Sequence, residues 1–375
     1  MFKLFCPKES AAGETRVALT PDSAKRLRDL GLACWLEAGA GVAAGFPDSA
    51  YVGSGAEILN DRAVGIASAD CVISVQPLGD SDIRSLRPGT TTISFLDPFR
   101  QPDRVTALAT AGVRAVSLEF IPRTTLAQKM DALSSQASIA GYAAVLLAAS
   151  RLDKILPMMM TPAGTLQPAR FLIIGVGVAG LQAIATAKRL GARVMAYDTR
   201  PVVEEQVKSL GARFLKLDLG ETGQTEQGYA KELTFAQLEL QRKGMAKACA
   251  DSDAIITTAQ VFGREAPRLL TSDMLSGMRP GSVVVDMAVS TGGNVEGSLA
   301  GQEVVTPGGV LILGASTLPS TIPQHASQAL ANNIANFIAH FWNGGPEFDR
   351  DEEISRSAIL TRDGTIINER AKPRI

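Results

Sequence analysis

Apolar residues along this chain fall into two kinds of stretch: short runs of four or five, and longer stretches where they recur every third or fourth position. The short runs predict strands and the longer ones amphipathic helices. In the first third, strands are expected over 3–5, 33–37, 71–75, 91–95 and 114–118, with helical segments between several of them. The clearest helix is 21–30, where Ala24, Leu27 and Leu30 share a face, Thr20 stands as N-cap, Pro21 takes the first helical position and Gly31 ends it. Such alternation predicts a parallel, doubly wound sheet.

A polar, unpatterned connector at 122–134 leads into a helix expected over 138–152, with Ile139, Tyr142, Ala143 and Leu146 on its apolar side. A second series of strands, over 171–174, 194–198, 214–217, 254–258, 282–286 and 310–313, predicts a second doubly wound sheet. Residues 220–229 are mostly Gly, Glu, Thr and Gln with little to bury, which reads as a mobile flap. The last long helix, expected over 324–342, sets Leu330, Ile334, Phe337, Ile338 and Phe341 on one stripe and should return to pack on the first domain. The expected fold class is therefore α/β: two Rossmann-like domains, 1–133 with about 325–375, and 134–324, with a cleft between them. The tail, 354–368, alternates around Asp363-Gly364, a good hairpin turn, and is a candidate arm for a partner subunit.

The chemistry concentrates at Phe171-Leu172-Ile173-Ile174-Gly175-Val176-Gly177-Val178-Ala179-Gly180, where an apolar strand turns through glycines into a helix and the next strand ends in Asp198. This is a dinucleotide fingerprint in its proper context. Gly175 permits the tight turn, Gly177 lets a pyrophosphate approach the backbone and the helix N-terminus, and Gly180 lets helix and strand pack closely. A carboxylate at that strand end accepts hydrogen bonds from ribose hydroxyls and repels a 2′-phosphate, so Asp198 favours NAD(H) over NADP(H). Arg200 is the contrary signal, a phosphate clamp were Asp198 absent; with the acid present it reads as a solvated or adenine-stacking arginine.

With 375 residues and 46% hydrophobic content the chain can bury two ordinary cores. A net charge of −1 leaves no electrostatic footprint for nucleic acid or an anionic membrane surface. Cys6, Cys34, Cys71 and Cys249 stand far apart and read as reduced, mostly buried thiols, and with only His325 and His340 a metal site has little to build on. The N-terminus reads as a strand rather than a signal peptide. The uncharged run 171–187 is broken by three glycines and a glutamine, which makes it poor material for a bilayer span. A soluble, cytoplasmic chain is expected.

Several segments together resemble one family over nearly the whole chain and in order. They are Glu14-Thr15-Arg16-Val17-Ala18-Leu19-Thr20-Pro21, Ala132-Leu133-Ser134-Ser135-Gln136, the fingerprint through Ile184, Asp198-Thr199-Arg200-Pro201, Gly228-Tyr229-Ala230-Lys231 and Gly292-Gly293-Asn294. The chain resembles the alanine dehydrogenase/transhydrogenase superfamily, and within it the NAD(H)-binding component of proton-translocating transhydrogenase. Alanine dehydrogenases work with an arginine, a lysine, a histidine and an aspartate; here Arg16 matches the first, while the other positions hold Gln76, Asp97 and Ser290. Direct hydride transfer between two nicotinamide rings needs none of those acid–base groups. Asp97, although strand-terminal, reads as a structural cap.

The resemblance implies that Arg123, Asp131 and Ser134 orient the nicotinamide, with Gln128 reaching across to NADP(H) on a partner subunit. It implies that Gly228 and Tyr229 belong to a flap over the nucleotide. Gly175, Gly177, Val178, Gly180, Asp198, Thr199, Arg200 and Gln260 are then the expected cofactor contacts. After Thr257-Thr258 the chain departs from the family's apolar-Pro-Gly-Lys loop, having Gln260-Val261-Phe262-Gly263-Arg264, which touches adenine-side contacts more than the chemistry. The implied partners are NADP(H)-binding and membrane subunits and a second copy of the chain, with membrane contact only through those partners. Alternatives are a stand-alone amino- or keto-acid dehydrogenase, and a non-catalytic NAD-binding protein.

Overall fold

The computed structural model describes residues 1–220, 222–223 and 233–372. It resolves into two compact units, Met1–Gln136 with Pro319–Ile375, and Ala137–Leu318. In the first unit, β1 (Lys3–Cys6), β2 (Ala33–Glu37), β3 (Glu57–Leu59), β4 (Cys71–Ile73), β5 (Thr91–Ser94) and β6 (Arg114–Ser117) pair in parallel in the order β3-β2-β1-β4-β5-β6. This is the doubly wound order expected from the alternation. The central strands β4 and β5 are buried at every position; β4 (Cys71-Val72-Ile73) reads as an apolar run, while β5 buries Thr91, Thr92 and Ser94 beside Ile93. At the edge, β3 carries little apolar burial and offers no pattern to detect.

The Pro21–Asp29 helix starts as its sequence dictates. Thr20 receives Ser23 N on its hydroxyl while Ser23 Oγ receives Thr20 N at 2.9 Å, a reciprocal cap with proline in the first turn. The Ala132–Arg151 helix begins six residues before the expected 138. Its Ser134-Ser135-Gln136 start has the composition of a loop, but Asp131 caps it, accepting Ser134 N at 2.9 Å. Among the described residues this helix is the one long and apolar enough, by length and composition, to cross a membrane, and 44% of that stretch is buried within the fold. Ala140, Ala143, Ala144, Val145 and Ala148 form its buried side.

The second unit opens with an isolated antiparallel ribbon, β7 (Met159–Thr161) with β8 (Gly164–Leu166). Its sheet follows: β9 (Arg170–Ile174), β10 (Arg193–Tyr197), β11 (Arg213–Phe214), β12 (Ala254–Thr257), β13 (Val283–Asp286), β14 (Glu303–Val305) and β15 (Leu311–Gly314), ordered β11-β10-β9-β12-β13-β15-β14. All pairs are parallel except β14 with β15. The ribbon and β14 are not legible from the sequence because both are largely exposed and carry no alternation. The expected flap residues Gly228 and Tyr229 lie outside the described residues.

The chain returns to the first unit in the Pro323–His340 helix. Its stripe of Leu330, Ile334, Phe337 and Ile338, with Phe341 beyond, is buried in one core with Leu4, Ile73, Ile93 and Val116 of the sheet. The tail forms the expected hairpin, β16 (Ile359–Arg362) and β17 (Thr365–Ile366), turning through Asp363 and Gly364, both at positive φ. It does not reach out as an arm: β16 pairs antiparallel with β6 and widens its own sheet to eight strands. All four cysteines are buried and free, with burial raising every thiol, those of Cys34 and Cys249 to about 12.

Candidate functional site

In the second sheet the connections from β9 run to β10 on one side and, later in the chain, to β12 on the other. A crevice at the carboxyl ends of strands opens at such a switch point. Gly175 ends β9 with φ +92°, and a Cβ there would stand 2.7 Å from Thr258 Oγ1. Gly177 is the N-cap of the Val178–Arg189 helix. It offers no side-chain cap, the first turn holds no acidic residue, and a Cβ added to it would meet nothing within 4 Å. The helix therefore presents its first-turn N–H groups, at Val178 and beyond, to open space, the arrangement an anion takes. Gly180 is the reverse, since a Cβ there would collide with Gly175 O. A turn that is open at Gly177 and pinched at Gly180 fits a dinucleotide pyrophosphate.

Asp198 stands immediately after β10, its side chain 7% exposed, and its carboxylate is fully engaged. Oδ1 accepts Arg200 N and Arg200 Nε, both at 2.9 Å, and Oδ2 accepts Val176 N at 2.7 Å and Arg200 Nη2 at 2.8 Å. Arg200 is therefore not the solvated arginine expected from sequence, since a carboxylate two residues away chelates it and leaves its side chain 15% exposed. Thr199 is half-buried and its carbonyl accepts Thr222 Oγ1 at 2.7 Å.

Gln260 is exposed, and its amide donates to Met287 O at 3.0 Å. Two residues hold its loop, Asn294 of the Gly292-Gly293-Asn294 motif and Asp286, which the sequence pattern does not single out. Asn294, fully buried, accepts Ala259 N at 3.1 Å and donates to Ala259 O and Pro267 O. Asp286, also fully buried, accepts Ala288 N, Asn294 N and Val295 N, and a Cβ on Gly293 would stand 2.8 Å from its Oδ2. The Gly292-Gly293-Asn294 motif is the sequence signal for this arrangement, although it does not point to the acid it wraps.

The first unit carries the other candidates. Asp131 and Ser134 are joined twice, by Ser134 N to Oδ1 at 2.9 Å and by Ser134 Oγ to Oδ2 at 2.6 Å. Arg123 and Gln128 are exposed on the segment leading to that cap, Gln128 opening a short 3-10 turn through Met130. Asn333 and Asn336 of the Pro323–His340 helix both donate to Lys129 O, at 3.0 and 2.9 Å, and Met130 is buried. These two asparagines fix the turn that carries Gln128, and their distance along the chain from Lys129 hides them from the sequence.

Arg16 sits in a closed cluster. Its Nε and Nη2 donate to the two oxygens of Glu14 at 2.7 and 2.6 Å, and its Nη1 to Gln136 at 2.8 Å. Gln76 and Ser320 complete the Glu14 carboxylate at 2.7 and 2.9 Å. Asp97 has φ 47°, its N–H donates to Glu119 at 2.7 Å and its carboxylate pairs with Arg100 at 2.6 Å.

Two family models, the N-terminal and C-terminal domains of alanine dehydrogenase/PNT, match residues 5–140 and 144–369. The chain belongs to the alanine dehydrogenase/PNT family. Within that family it is 39% identical over 369 residues to the NAD(P) transhydrogenase subunit alpha of Cereibacter sphaeroides, covering 97% of this chain and 71% of that one. The crystal structure of transhydrogenase from Sinorhizobium meliloti matches with a TM-score of 0.86 at 40% identity, over 98% of this chain and 99% of the other. An L-alanine dehydrogenase matches with a TM-score of 0.84 over 99% and 98%, but at 24% identity it shows the shared fold alone. These findings agree with the motif-based resemblance, and the chain is a family member of the transhydrogenase alpha-subunit kind.

Proposed function

We propose that this chain is the NAD(H)-binding component of a proton-translocating transhydrogenase of the Si-specific type, exchanging hydride directly between NAD(H) held here and NADP(H) held by a partner subunit. The observation that carries the proposal is the open, uncapped helix N-terminus at Gly177 with the strand-end carboxylate of Asp198 beside it. In this reading the backbone from Gly175 through Val178 to Gly180 receives the pyrophosphate. Asp198, Thr199 and Arg200 meet the adenosine ribose, and Gln260 faces the adenine side. Arg123, Asp131 and Ser134 orient the nicotinamide, Gln128 reaches towards the partner's nucleotide, and Gly228 and Tyr229 form the lid.

The nicotinamide, when bound, supplies the hydride; the chain's own work is to hold and orient it and to exclude water. No substrate proton has to be moved in this reading, and Arg16 is neutralised in place, with Nε and Nη2 bound to the Glu14 carboxylate and Nη1 to Gln136. A stand-alone amino- or keto-acid dehydrogenase would need a cationic seat for its substrate's carboxylate, and the buried pairing of Arg16 with Glu14 at 2.6 Å argues against that alternative.

The same reading puts the chain in the cytoplasm, peripheral on the inner membrane through NADP(H)-binding and membrane subunits, and paired with a second copy of itself. The β7–β8 ribbon supports the pairing, since Met158, Met159, Met160 and Leu166 are 59%, 45%, 81% and 47% exposed. The deciding experiment mixes the protein with the NADP(H)-binding component of a transhydrogenase and follows reduction of an NADP⁺ analogue by NADH. Exchange is expected; tight NADH binding without exchange would reject the proposal.

A further inference from the structure

We propose that Arg200 is a latch on the ribose seat, filling with its guanidinium the carboxylate positions of Asp198 that an adenosine ribose must take. This deepens the nucleotide-binding reading and rests on it. A carboxylate has about four acceptor positions, and in this structure all four are used. Two are filled by backbone N–H groups, Val176 in the glycine turn and Arg200 just past β10. Those bonds belong to the fold. The other two are filled by Arg200 Nε and Nη2, which belong to a side chain able to change rotamer. A ribose diol that chelates Asp198 needs two acceptor positions, so it can enter only where the guanidinium leaves.

The latch also spans the seat. Arg200 Nη2 donates at once to Asp198 and to Val176 O at 3.1 Å, bridging the end of β10 to the turn after β9. Binding then requires a minor population in which Arg200 has swung away, and the apparent affinity is reduced by the fraction of molecules in that state. The displaced guanidinium would stay near the 2′ edge of the ribose. Asp198 and Arg200 together therefore set how strongly the site prefers a plain ribose over a 2′-phosphorylated one.

The test measures NADH and NADPH binding, at equilibrium and by stopped flow, for the full chain and for Arg200→Gln, Arg200→Lys and Asp198→Asn, each checked for native circular dichroism. Arg200→Gln is expected to bind NADH about three- to tenfold tighter, as follows when the open state holds roughly a third to a tenth of the molecules. The gain should appear in the association rate with dissociation unchanged, because the empty site is then permanently open; Arg200→Lys, which cannot chelate, should fall between. Asp198→Asn should weaken NADH and raise the NADPH-to-NADH affinity ratio by freeing the guanidinium for the phosphate. A guanidinium that instead serves the pyrophosphate or adenine would make Arg200→Gln bind NADH more weakly; with Asp198→Asn also weakened, only the latch falls and the nucleotide reading stands. Unchanged NADH affinity in Asp198→Asn, or no NADH binding by the parent chain, would overturn both.

Discussion

Gln76 donates its side-chain amide to Glu14 Oε2 at 2.7 Å, on the same carboxylate that grips Arg16. The glutamine thereby helps lock an arginine that a lysine at this position would leave competing for the same acid. Arg16 and Glu14 are 8% and 2% exposed, so the pair is buried and removing one partner strands the other. Arg16→Ala should cost about 3–5 kcal/mol of stability, read as a lower urea midpoint. The parent protein should show no NADH oxidation with pyruvate and ammonia; turnover in that assay would mean that the cluster opens.

Two carboxylates in this region are driven in opposite directions. Burial pushes Glu14 up, but the hydrogen bonds and charge of Arg16 outweigh it and hold the carboxyl below the ordinary range. Its contribution to stability is therefore present at neutral pH and lost on acidification. Glu9 keeps some exposure as a residue, but burial of its carboxyl raises it to about 7, against the lowering effect of the Val75 and Gln76 N–H groups. For an acid raised on folding, ionisation favours the unfolded chain, so this group's support is full below about pH 4.5 and declines until about pH 7. Urea midpoints of the parent and Glu9→Gln taken from pH 5 to 8 should converge, or cross in the variant's favour, as pH rises; a constant difference would mean that Glu9 does not titrate in this window.

Two glycines in the second unit stand where only hydrogen fits. A methyl on Gly180 would collide with Gly175 O, and one on Gly141 with Ala179 O, at the crossing of the Ala132–Arg151 and Val178–Arg189 helices. Each alanine variant should lose about 1–3 kcal/mol, the usual cost of overpacking, measured by urea denaturation. Gly177→Ala, with nothing within 4 Å of the added carbon, should keep its stability but bind NADH more weakly. A Gly177 variant with undiminished NADH affinity would remove the pyrophosphate from this turn.

The exposed ribbon gives a prediction about assembly. Met160, at 81% exposure, should be covered in a dimer, and Met160→Glu should shift the protein towards monomer in sedimentation velocity. A variant that sediments like the parent would show that the ribbon is not the contact.

The glycine turn is legible in the sequence because its requirement is local: three backbone positions and one acid, all within a single strand–helix–strand unit. The parallel core of each sheet is legible for a similar reason, since buried strands such as Cys71–Ile73, Ala254–Thr257 and Val283–Asp286 are mostly apolar. What stays hidden acts at a distance or without a pattern. Asn333 and Asn336 hold the Gln128 turn from a helix at the far end of the sequence, and Asp286 organises a loop whose glycines alone stand out. The Ser134 helix start reads as loop because serines favour turns until a carboxylate such as Asp131 caps them. Arg200 is visible as a residue but not as a ligand of Asp198, because spacing does not reveal side-chain direction.

The return of the Pro323–His340 helix to the first sheet has a consequence for synthesis. A ribosome releases every residue of the second unit before Leu330, Ile334 and Phe337 leave the exit tunnel. Until then the apolar face of the first sheet, with Leu4, Ile73 and Ile93, waits without its cover, so the N-terminal half of this protein is the later of the two to mature.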